Sequence, residues 1–252
     1  MMILNDISSP WTKNKVSIIK TSNNELIVRK TFYNIEHFNR ELLAYELIED
    51  SFRPVLHGVE LNNKAIYLSL EKKTHKICHK RVAHLMKDFH DKNTMENINV
   101  GYLGCEIKYL NWYDFIIKRG FEWVETLKPF RDYTADFLNW TSVQDLFKLP
   151  KMSIVHQDIR HENIMERGNL LILIDFELVM WGDPLWDVAR YILIYPDSKQ
   201  IIIEEYVGAN IERLNLLITL VALCFADYLY KKNDFGESWR KCINILNNSS
   251  EL

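Results

Sequence analysis

The most informative part of the chain is residues 154–189, which read IVHQDIRHENIMERGNLLILIDFELVMWGDPLWDVA. Three groups of polar residues follow one another in it: His156-x-Asp158-x4-Asn163, Asp175-Phe176-Glu177 and Gly182-Asp183-Pro184-x-x-Asp187. From composition alone, the first pattern is expected only about 0.04 times in this chain. Chance therefore does not explain why it stands before an apolar run that ends in a second aspartate.

The apolar segments between these groups predict a β-hairpin. Ile164-Met165 and Leu170–Ile174 are β-type runs, and Glu166–Asn169 between them has the composition of a turn. Two antiparallel strands return the chain to the point where the first strand began. We therefore expect Asp175 to lie beside Asn163.

These residue types are the ones that phosphoryl transfer from a nucleotide requires. One carboxylate must orient the attacking hydroxyl and accept its proton, and further oxygen atoms must hold a Mg²⁺ ion on the phosphates. Asp158 is predicted to be the catalytic base. Asn163, at the end of the same loop, and Asp175, at the end of the hairpin, are predicted to be the magnesium ligands.

The first part of the chain has the pattern of a small sheet with one helix. Lys15–Phe32 contains two β-type runs around Ser22-Asn23-Asn24, and asparagine tolerates the positive φ of a tight turn. Asn34–Ile48 has apolar residues at helical spacing behind an asparagine cap. Val55–Leu61 and Ala65–Leu70 are two further strand-like runs. The charged residues that follow them mark a domain boundary.

The rest of the chain is mainly helical in pattern. Thr74–His90, Tyr109–Phe147 and Leu185–Leu246 have the spacing of helices, and the hairpin interrupts them. No internal repeat is visible. We therefore predict two domains, residues 1–72 and residues 73–252.

The runs VHQDIRHENIM, IDFE and GDPLWD resemble the aminoglycoside phosphotransferase and choline kinase family of small-molecule kinases, which shares a two-lobed fold with protein kinases. The resemblance implies an α+β, bilobal protein-kinase-like fold, with a small antiparallel-sheet N-lobe carrying one helix and a larger, mainly helical C-lobe. Residues 1–72 would bind the nucleotide, and residues 73–252 would carry catalysis and substrate binding. Carried over to this chain, the resemblance also makes Asp158 the base and Asn163 and Asp175 the magnesium ligands.

The resemblance also assigns residues that support the catalytic loop. His156 and Asp187 would brace it, and Asp183 would belong to the same support. Asp183-Pro184 reads independently as a helix N-cap followed by proline at the first helical position. Arg160 has two interpretations: it stabilises the charge of the transferring phosphoryl group, or it pairs with Glu162 at the surface.

The family holds the nucleotide phosphates with a cation on the third strand, which pairs with a helical glutamate. Here that glutamate is predicted to be Glu41. Arg29 and Lys30 are both candidates for the cation, because strand alternation points them to opposite faces and only one can face the nucleotide. The spacing in the family favours Arg29, whereas lysine is the commoner residue, so both stay open.

Two loops are predicted to complete the nucleotide site. Backbone groups of Glu71, Lys72 and Lys73 would form the adenine-binding hinge, and Ser8–Lys13 would cover the phosphates. This second loop departs from the family pattern, since no glycine precedes Gly58 and serine and threonine side chains must replace backbone flexibility. A second departure is Gln157, which occupies a position that the family usually fills with glycine.

The phosphate acceptor is left open by two features of the middle of the chain. Aromatic residues suit a quaternary ammonium such as choline, while carboxylates suit a polyamine sugar. The tryptophans are also explained by core packing, and acidic residues on helices are usually solvated. The residues concerned are Trp112, Trp123, Trp140, Trp181 and Trp186, and Glu106, Asp114, Glu122, Glu125, Asp132, Asp136 and Asp145.

Composition excludes several other classes of protein. The formal net charge of -3 gives no basic excess for nucleic acid, and the four cysteines lack the spacing of a disulfide framework or a zinc site. No signal-peptide core is visible, and the longest apolar run, Leu216–Ala226, is too short to span a bilayer. We therefore expect no membrane partner and a cytoplasmic location.

We predict a kinase that transfers the γ-phosphate of ATP or GTP, with Mg²⁺, to a hydroxyl of a small cationic molecule. Aminoglycoside-like antibiotics are the favoured acceptors, which would make the protein a resistance factor; choline, another amino alcohol or a sugar is the alternative. The alternative from another class is a non-catalytic nucleotide-binding or structural protein with a degenerate kinase fold. The oligomeric state stays open.

Overall fold

The computed structural model describes residues 2–8, 13–74, 77–96, 98–106, 108–149, 151–207 and 211–249. In chain order, its strands and helices are β1 (Met2–Asp6), β2 (Lys15–Lys20), β3 (Leu26–Thr31), α1 (Ile35–Leu47), β4 (Leu56–Glu60), β5 (Ala65–Ser69), β6 (Lys72–Lys73), α2 (His79–Lys92), β7 (Thr94–Met95), β8 (Gly101–Tyr102), α3 (Trp112–Leu127), α4 (Thr134–Trp140), β9 (Met152–Val155), β10 (Ile164–Arg167), β11 (Leu170–Leu173), β12 (Met180–Gly182), α5 (Leu185–Ile194), α6 (Lys199–Ile202), α7 (Ile211–Lys231) and α8 (Glu237–Asn248).

The chain forms two compact units, each of which has its own core. Unit 1 comprises residues 1–77, 102–106 and 161–179, and unit 2 comprises residues 78–101, 107–160 and 180–252. Asn163 and Asp175 therefore lie in unit 1, and Asp158 lies in unit 2. The predicted division into residues 1–72 and 73–252 stays a prediction.

Unit 1 contains a five-stranded antiparallel sheet in the order β1-β2-β3-β5-β4. Its predicted hairpins are confirmed: Lys20 pairs with Leu26 at the end of the β2–β3 ladder, and Asn24 has a φ of 66° in the turn between them. Lys64 takes a φ of 48° in the β4–β5 connection. Left-handed residues at these turns let each strand reverse within a few residues.

The predicted first helix is also confirmed. The Asn34 side chain caps it by accepting a hydrogen bond from the backbone N–H of Glu36 at 2.7 Å. Phe38 and Tyr45 of the predicted apolar face are buried, but Ile35 is 51% exposed, and Arg40 and Glu41 are buried as well. A helix that buries two charged side chains must supply partners for them.

A second sheet of unit 1 has the order β11-β10-β6. The predicted hairpin is present, with Ile164 opposite Leu173 and Arg167 opposite Leu170. Its turn is tighter than predicted, since Glu166 and Arg167 belong to β10 and only Gly168 and Asn169 remain between the strands. Gly168 has a φ of 59°, which glycine adopts without steric cost.

Unit 2 is built on α7, which packs against α3, α5 and α8. By length and composition this helix is apolar enough to cross a membrane, but 67% of its most apolar window is buried within the protein. The core helix of a soluble protein has the same properties. Beside the helices, β9 lies between β7 and β12 and is antiparallel to both.

Tryptophans fill the core of unit 2. The Trp112 ring stacks on Phe115 at 4.9 Å and meets Trp186 edge to face at 5.5 Å, and Trp123 lies 6.1 Å from Trp186. These contacts bury large apolar areas and favour the fold of the helical unit.

Gly120→Ala is expected to lower the free energy of unfolding by about 1–3 kcal/mol, measured by urea unfolding. Alanine inside a helix normally stabilises by about 1 kcal/mol relative to glycine. Here a Cβ on Gly120 would lie 2.2 Å from the Phe137 ring, which is fully buried. The control is Gly58→Ala, whose added Cβ meets nothing closer than 3.8 Å. A raised midpoint for Gly120→Ala would contradict this packing.

Candidate active site

The centre of unit 1 is an ion-pair cluster between β3, α1 and the end of the β10–β11 hairpin. The Lys30 ammonium donates to Glu41 Oε2 and to Asp175 Oδ1, each at 2.5 Å. The Glu41 side chain is fully buried, and that of Lys30 is 9% exposed. Three residues predicted from the sequence are thus in direct contact.

Arg29 is not part of this cluster. Strand alternation points it to the other face of the sheet, where its guanidinium donates to Glu60 Oε2 at 3.0 Å and to the Tyr67 hydroxyl at 3.2 Å. Of the two candidate cations, the structure brings Lys30 to Glu41 and places Arg29 with partners of its own.

Burial and charge oppose each other in the cluster. Burial raises the pKa of Glu41 to about 7, although the Lys30 ammonium lowers it in part. Burial lowers the pKa of Lys30, but the carboxylates of Asp175 and Glu41 outweigh burial and raise it above its usual value. The ammonium therefore stays charged and holds the two carboxylates together.

The backbone of Asp175 is left-handed, with a φ of 71°. This conformation costs roughly 1–2 kcal/mol for a residue with a Cβ. The next residue, Phe176, is fully buried and meets the Tyr45 ring edge to face at 5.8 Å. This packing anchors the segment, so the strained aspartate keeps its carboxylate on Lys30.

Glu177 is tied to two elements of unit 1, which the sequence did not predict. Arg40 of α1 donates to its backbone carbonyl at 2.6 Å, and Asn14 Nδ2 donates to its Oε2 at 2.6 Å. The Arg40 guanidinium also lies over the Tyr102 ring at 4.4 Å. The one sequence signal for a role of Glu177 in the site is its position, two residues after Asp175.

Asn163 and Asp175 flank the open end of the β10–β11 hairpin, opposite its turn. The backbone N–H of Ile174 donates to the Asn163 carbonyl at 3.0 Å, one residue before Asp175. Asn163 is 5% exposed. An amide and a carboxylate at one end of a hairpin are oxygen ligands that fit Mg²⁺, which takes one or two protein ligands and completes its shell with phosphates and water.

The predicted adenine-binding hinge lies in the second sheet. Lys72 and Lys73 form β6 and pair with Glu166 and Met165 of β10. The Glu71 carboxylate accepts from Ser69 and Arg167, so it is engaged within unit 1. The Glu71 side chain therefore has partners within unit 1 and is not needed for contact with a base.

The predicted phosphate loop is described only in part. Ser8 Oγ accepts from the backbone N–H of Val16 at 2.8 Å and donates to Asp6 at 2.6 Å. Ser9 and Thr12 lie outside the described residues.

In unit 2, Asp187 holds the segment that precedes the predicted base. Its fully buried carboxylate accepts from the backbone N–H groups of His156 at 2.8 Å and Gln157 at 2.6 Å, and His90 Nε2 lies at 3.0 Å. His156 Nδ1 in turn accepts from the Asp158 N–H at 3.3 Å. These bonds fix the backbone around Asp158.

Gln157 has a φ of 67°, the conformation that favours glycine. The hydrogen bond to Asp187 holds this strained backbone in place.

Asp183 lies at the start of α5. Its Oδ1 accepts from the backbone N–H of Leu185 at 2.9 Å and from Arg213 at 2.7 Å. The helix that it caps begins at Leu185, one residue later than the predicted proline position.

The Asp158 carboxylate is paired with two arginines. Arg190 NH2 lies 3.1 Å from its Oδ1, and Arg160 Nε lies 3.1 Å from its Oδ2. Arg160 is therefore next to the predicted base. Arg190 was missed, because nothing in the sequence distinguishes it from a surface arginine of α5.

A family model covers the part of the chain that carries the predicted base and metal ligands. The model of the phosphotransferase enzyme family matches residues 122–214, which include Asp158, Asn163 and Asp175. No curated protein matches the chain.

Several solved structures have the same fold. A thermostable mutant of aminoglycoside phosphotransferase APH(4)-Ia, in ternary complex with AMP-PNP and hygromycin B, has a TM-score of 0.72 at 12% identity, covering 98% of this chain and 93% of that chain. Choline kinase LicA from Streptococcus pneumoniae has a TM-score of 0.69 at 18% identity, covering 100% and 93%. A putative fructosamine-3-kinase from Haemophilus somnus 129PT has a TM-score of 0.68 at 15% identity, covering 98% and 92%.

At these identities the structural likeness establishes the fold, and the family model adds the enzyme class. The predicted α+β, kinase-like fold and the predicted resemblance to the phosphotransferase enzyme family are confirmed, and the chain is a small-molecule phosphotransferase.

Proposed function

We propose that this protein transfers the γ-phosphate of ATP or GTP to a hydroxyl of a small molecule. The observation that carries the proposal is the buried contact of Lys30 with both Glu41 and Asp175. Kinases with the protein-kinase fold use a lysine, oriented by a helical glutamate, to hold the phosphates and an aspartate to hold the metal. The bound AMP-PNP of the APH(4)-Ia structure supports a nucleotide donor.

Unit 1 would bind the nucleotide. Lys30 would hold its phosphates, backbone groups of residues 71–73 would contact the base, and Asn163 and Asp175 would hold Mg²⁺. The bound ion would neutralise phosphate charge. Arg29 is not included, because its partners lie on the other face of the sheet.

Unit 2 would supply the chemistry at the acceptor. Asp158 would orient the acceptor hydroxyl and take its proton, while the hydroxyl oxygen forms a bond to the γ-phosphorus. The bond from the γ-phosphorus to the β–γ bridging oxygen breaks, and the nucleoside diphosphate leaves. Arg160 would stabilise charge on the transferring group, and Asp187 and His156 would keep the base in position.

Aminoglycosides were the predicted acceptors, with choline, another amino alcohol or a sugar as the alternative, and the neighbours include an aminoglycoside phosphotransferase and a choline kinase. Five of the seven carboxylates that favoured a cationic acceptor form ion pairs within unit 2, and four of the five tryptophans are at most 3% exposed, whereas Glu106, Asp132 and Trp181 are not among them. They are Asp114, Glu122, Glu125, Asp136 and Asp145, and Trp112, Trp123, Trp140 and Trp186. These residues give no support to a cationic acceptor over a neutral one, so both classes rest on the neighbours. A cytoplasmic location and a role in antibiotic resistance stay predictions.

A thermal-shift experiment tests the proposal. ATP or GTP with Mg²⁺ is expected to raise the melting temperature, because a ligand at 100 times its Kd adds about 2.7 kcal/mol to the stability of the state that binds it. Mg²⁺ alone is the control, and each nucleotide without Mg²⁺ measures the contribution of the ion. If neither nucleotide shifts the melting temperature, the alternative of a degenerate, non-catalytic fold is favoured.

A further inference from the structure

Two arginines share the carboxylate of the predicted base. Asp158 is paired with Arg190 and with Arg160, and its side chain is 13% exposed. When Asp158 turns to an acceptor hydroxyl, as the proposed function requires, Arg190 loses the carboxylate with which it is paired.

Several other charged side chains of unit 2 form ion pairs with one another. Asp183 pairs with Arg213 at 2.7 Å, and Asp227 pairs with Lys231 at 2.7 Å. Arg119 of α3 pairs with Glu122. These ion pairs do not include Arg160 or Arg190.

Arg190 is held in a way that suits an anion. Its guanidinium lies over the Phe225 ring at 4.5 Å, and Phe225 stacks on Tyr228 at 6.0 Å with an interplanar angle of 11°. Stacking fixes the plane of the guanidinium and leaves its N–H edges for in-plane contacts. Its Nε is buried and has no hydrogen-bond partner among the residues that the structure describes.

We propose that Arg190 binds an anionic group of the acceptor, so that the substrate is an alcohol that also carries a carboxylate or a phosphate. This inference rests on the proposed function, since Asp158 must turn to the acceptor hydroxyl. When it does, the acceptor anion replaces it as the partner of Arg190. Arg160, which is 39% exposed, stays with the transferring phosphoryl group. A planar fork of donors recognises carboxylate and phosphate oxygens by paired, charge-assisted hydrogen bonds.

The test compares acidic acceptors with neutral alcohols of similar carbon skeleton and with two cationic acceptors. The full chain, with Mg²⁺ and the nucleotide that stabilises it, is assayed for nucleotide consumption with glycerol, glycerate and glycerol 3-phosphate, with sorbitol and gluconate, and with choline and kanamycin. We expect at least one acid to exceed its neutral partner in kcat/KM by about tenfold or more. Glycerate against glycerol 3-phosphate distinguishes a carboxylate from a phosphate.

Arg190→Met is expected to remove this preference while leaving the KM of the nucleotide within about twofold, because the arginine belongs to the acceptor and not to the nucleotide. Arg190→Lys is expected to retain part of the preference, since it keeps the charge without the planar fork. The exposed Arg240→Met is the matched control and is expected to behave as the wild type. Circular dichroism melting checks that each variant is folded.

A second readout does not need turnover. The preferred acid, or both acids where none is consumed, is expected to raise the melting temperature of the wild type and not that of Arg190→Met. Activity that is highest with a cationic or neutral acceptor and unchanged in Arg190→Met would overturn the inference and leave the kinase function standing. Acids that neither accelerate consumption nor stabilise the wild type would also overturn it. Absence of any nucleotide stabilisation would overturn the kinase function itself.

Discussion

Asp158→Asn is expected to reduce kcat for phosphoryl transfer by about 10³, because the amide keeps the shape of the side chain but cannot accept the hydroxyl proton. The nucleotide is expected to bind nearly as before, since Lys30, Asn163 and Asp175 are unchanged. Steady-state kinetics measures the first effect, and the nucleotide-induced thermal shift measures the second.

Asp158→Asn should remove the base without disturbing the fold of the loop. Asp187 holds the loop through backbone hydrogen bonds, so the variant should keep the loop in place. The exposed Asp197→Asn is the matched control for removing one negative charge from unit 2. Turnover near the wild-type level in Asp158→Asn would refute the assignment of the base.

Lys30→Met is expected to abolish tight nucleotide binding and to lower the free energy of unfolding by about 3–5 kcal/mol. It removes the shared cation and leaves the buried Glu41 carboxylate facing that of Asp175. Arg29→Met is the matched control. Because Arg29 is partly exposed and paired on the other face, its loss should cost about 1 kcal/mol or less and leave nucleotide binding unchanged.

The loss of unfolding free energy in Lys30→Met should depend on pH. Burial already raises the pKa of Glu41 to about 7, and the lowering influence of Lys30 disappears in the variant. An acid with a higher pKa in the folded state binds more protons folded than unfolded, so stability falls as pH rises from its unfolded pKa through its folded one. The variant should therefore be less impaired at pH 5 than at pH 8 in urea unfolding. Equal losses of unfolding free energy for Lys30→Met and Arg29→Met would contradict the assigned role of Lys30 in the ion-pair cluster.

The sequence predicted the elements that carry the site because local rules govern them. The β2–β3 turn needs a left-handed residue and has Asn24, and α1 needs a cap and has Asn34. The hairpin of residues 164–173 was predicted from β-type runs around a glycine-containing turn, and with it the return of the chain from Asn163 to Asp175.

Several contacts of the site depend on tertiary packing, which local sequence rules do not predict. Strand alternation shows that Arg29 and Lys30 face opposite sides, but both sides are compatible with the pattern until α1 is packed on one of them. Arg40 is buried against Glu177 and Tyr102, which the helical spacing of α1 does not predict. Arg190 and Asp158 are brought together by packing of α5.

The amino-acid order alone determined which residue types are available for phosphoryl transfer and which short segments turn, cap or pair, because those preferences act between residues close in the chain. Tertiary structure alone decided which cation meets Glu41 and which arginines surround Asp158. Such pairs form between distant segments, and the burial of each charge is settled only when the complete set of packed elements excludes water from it.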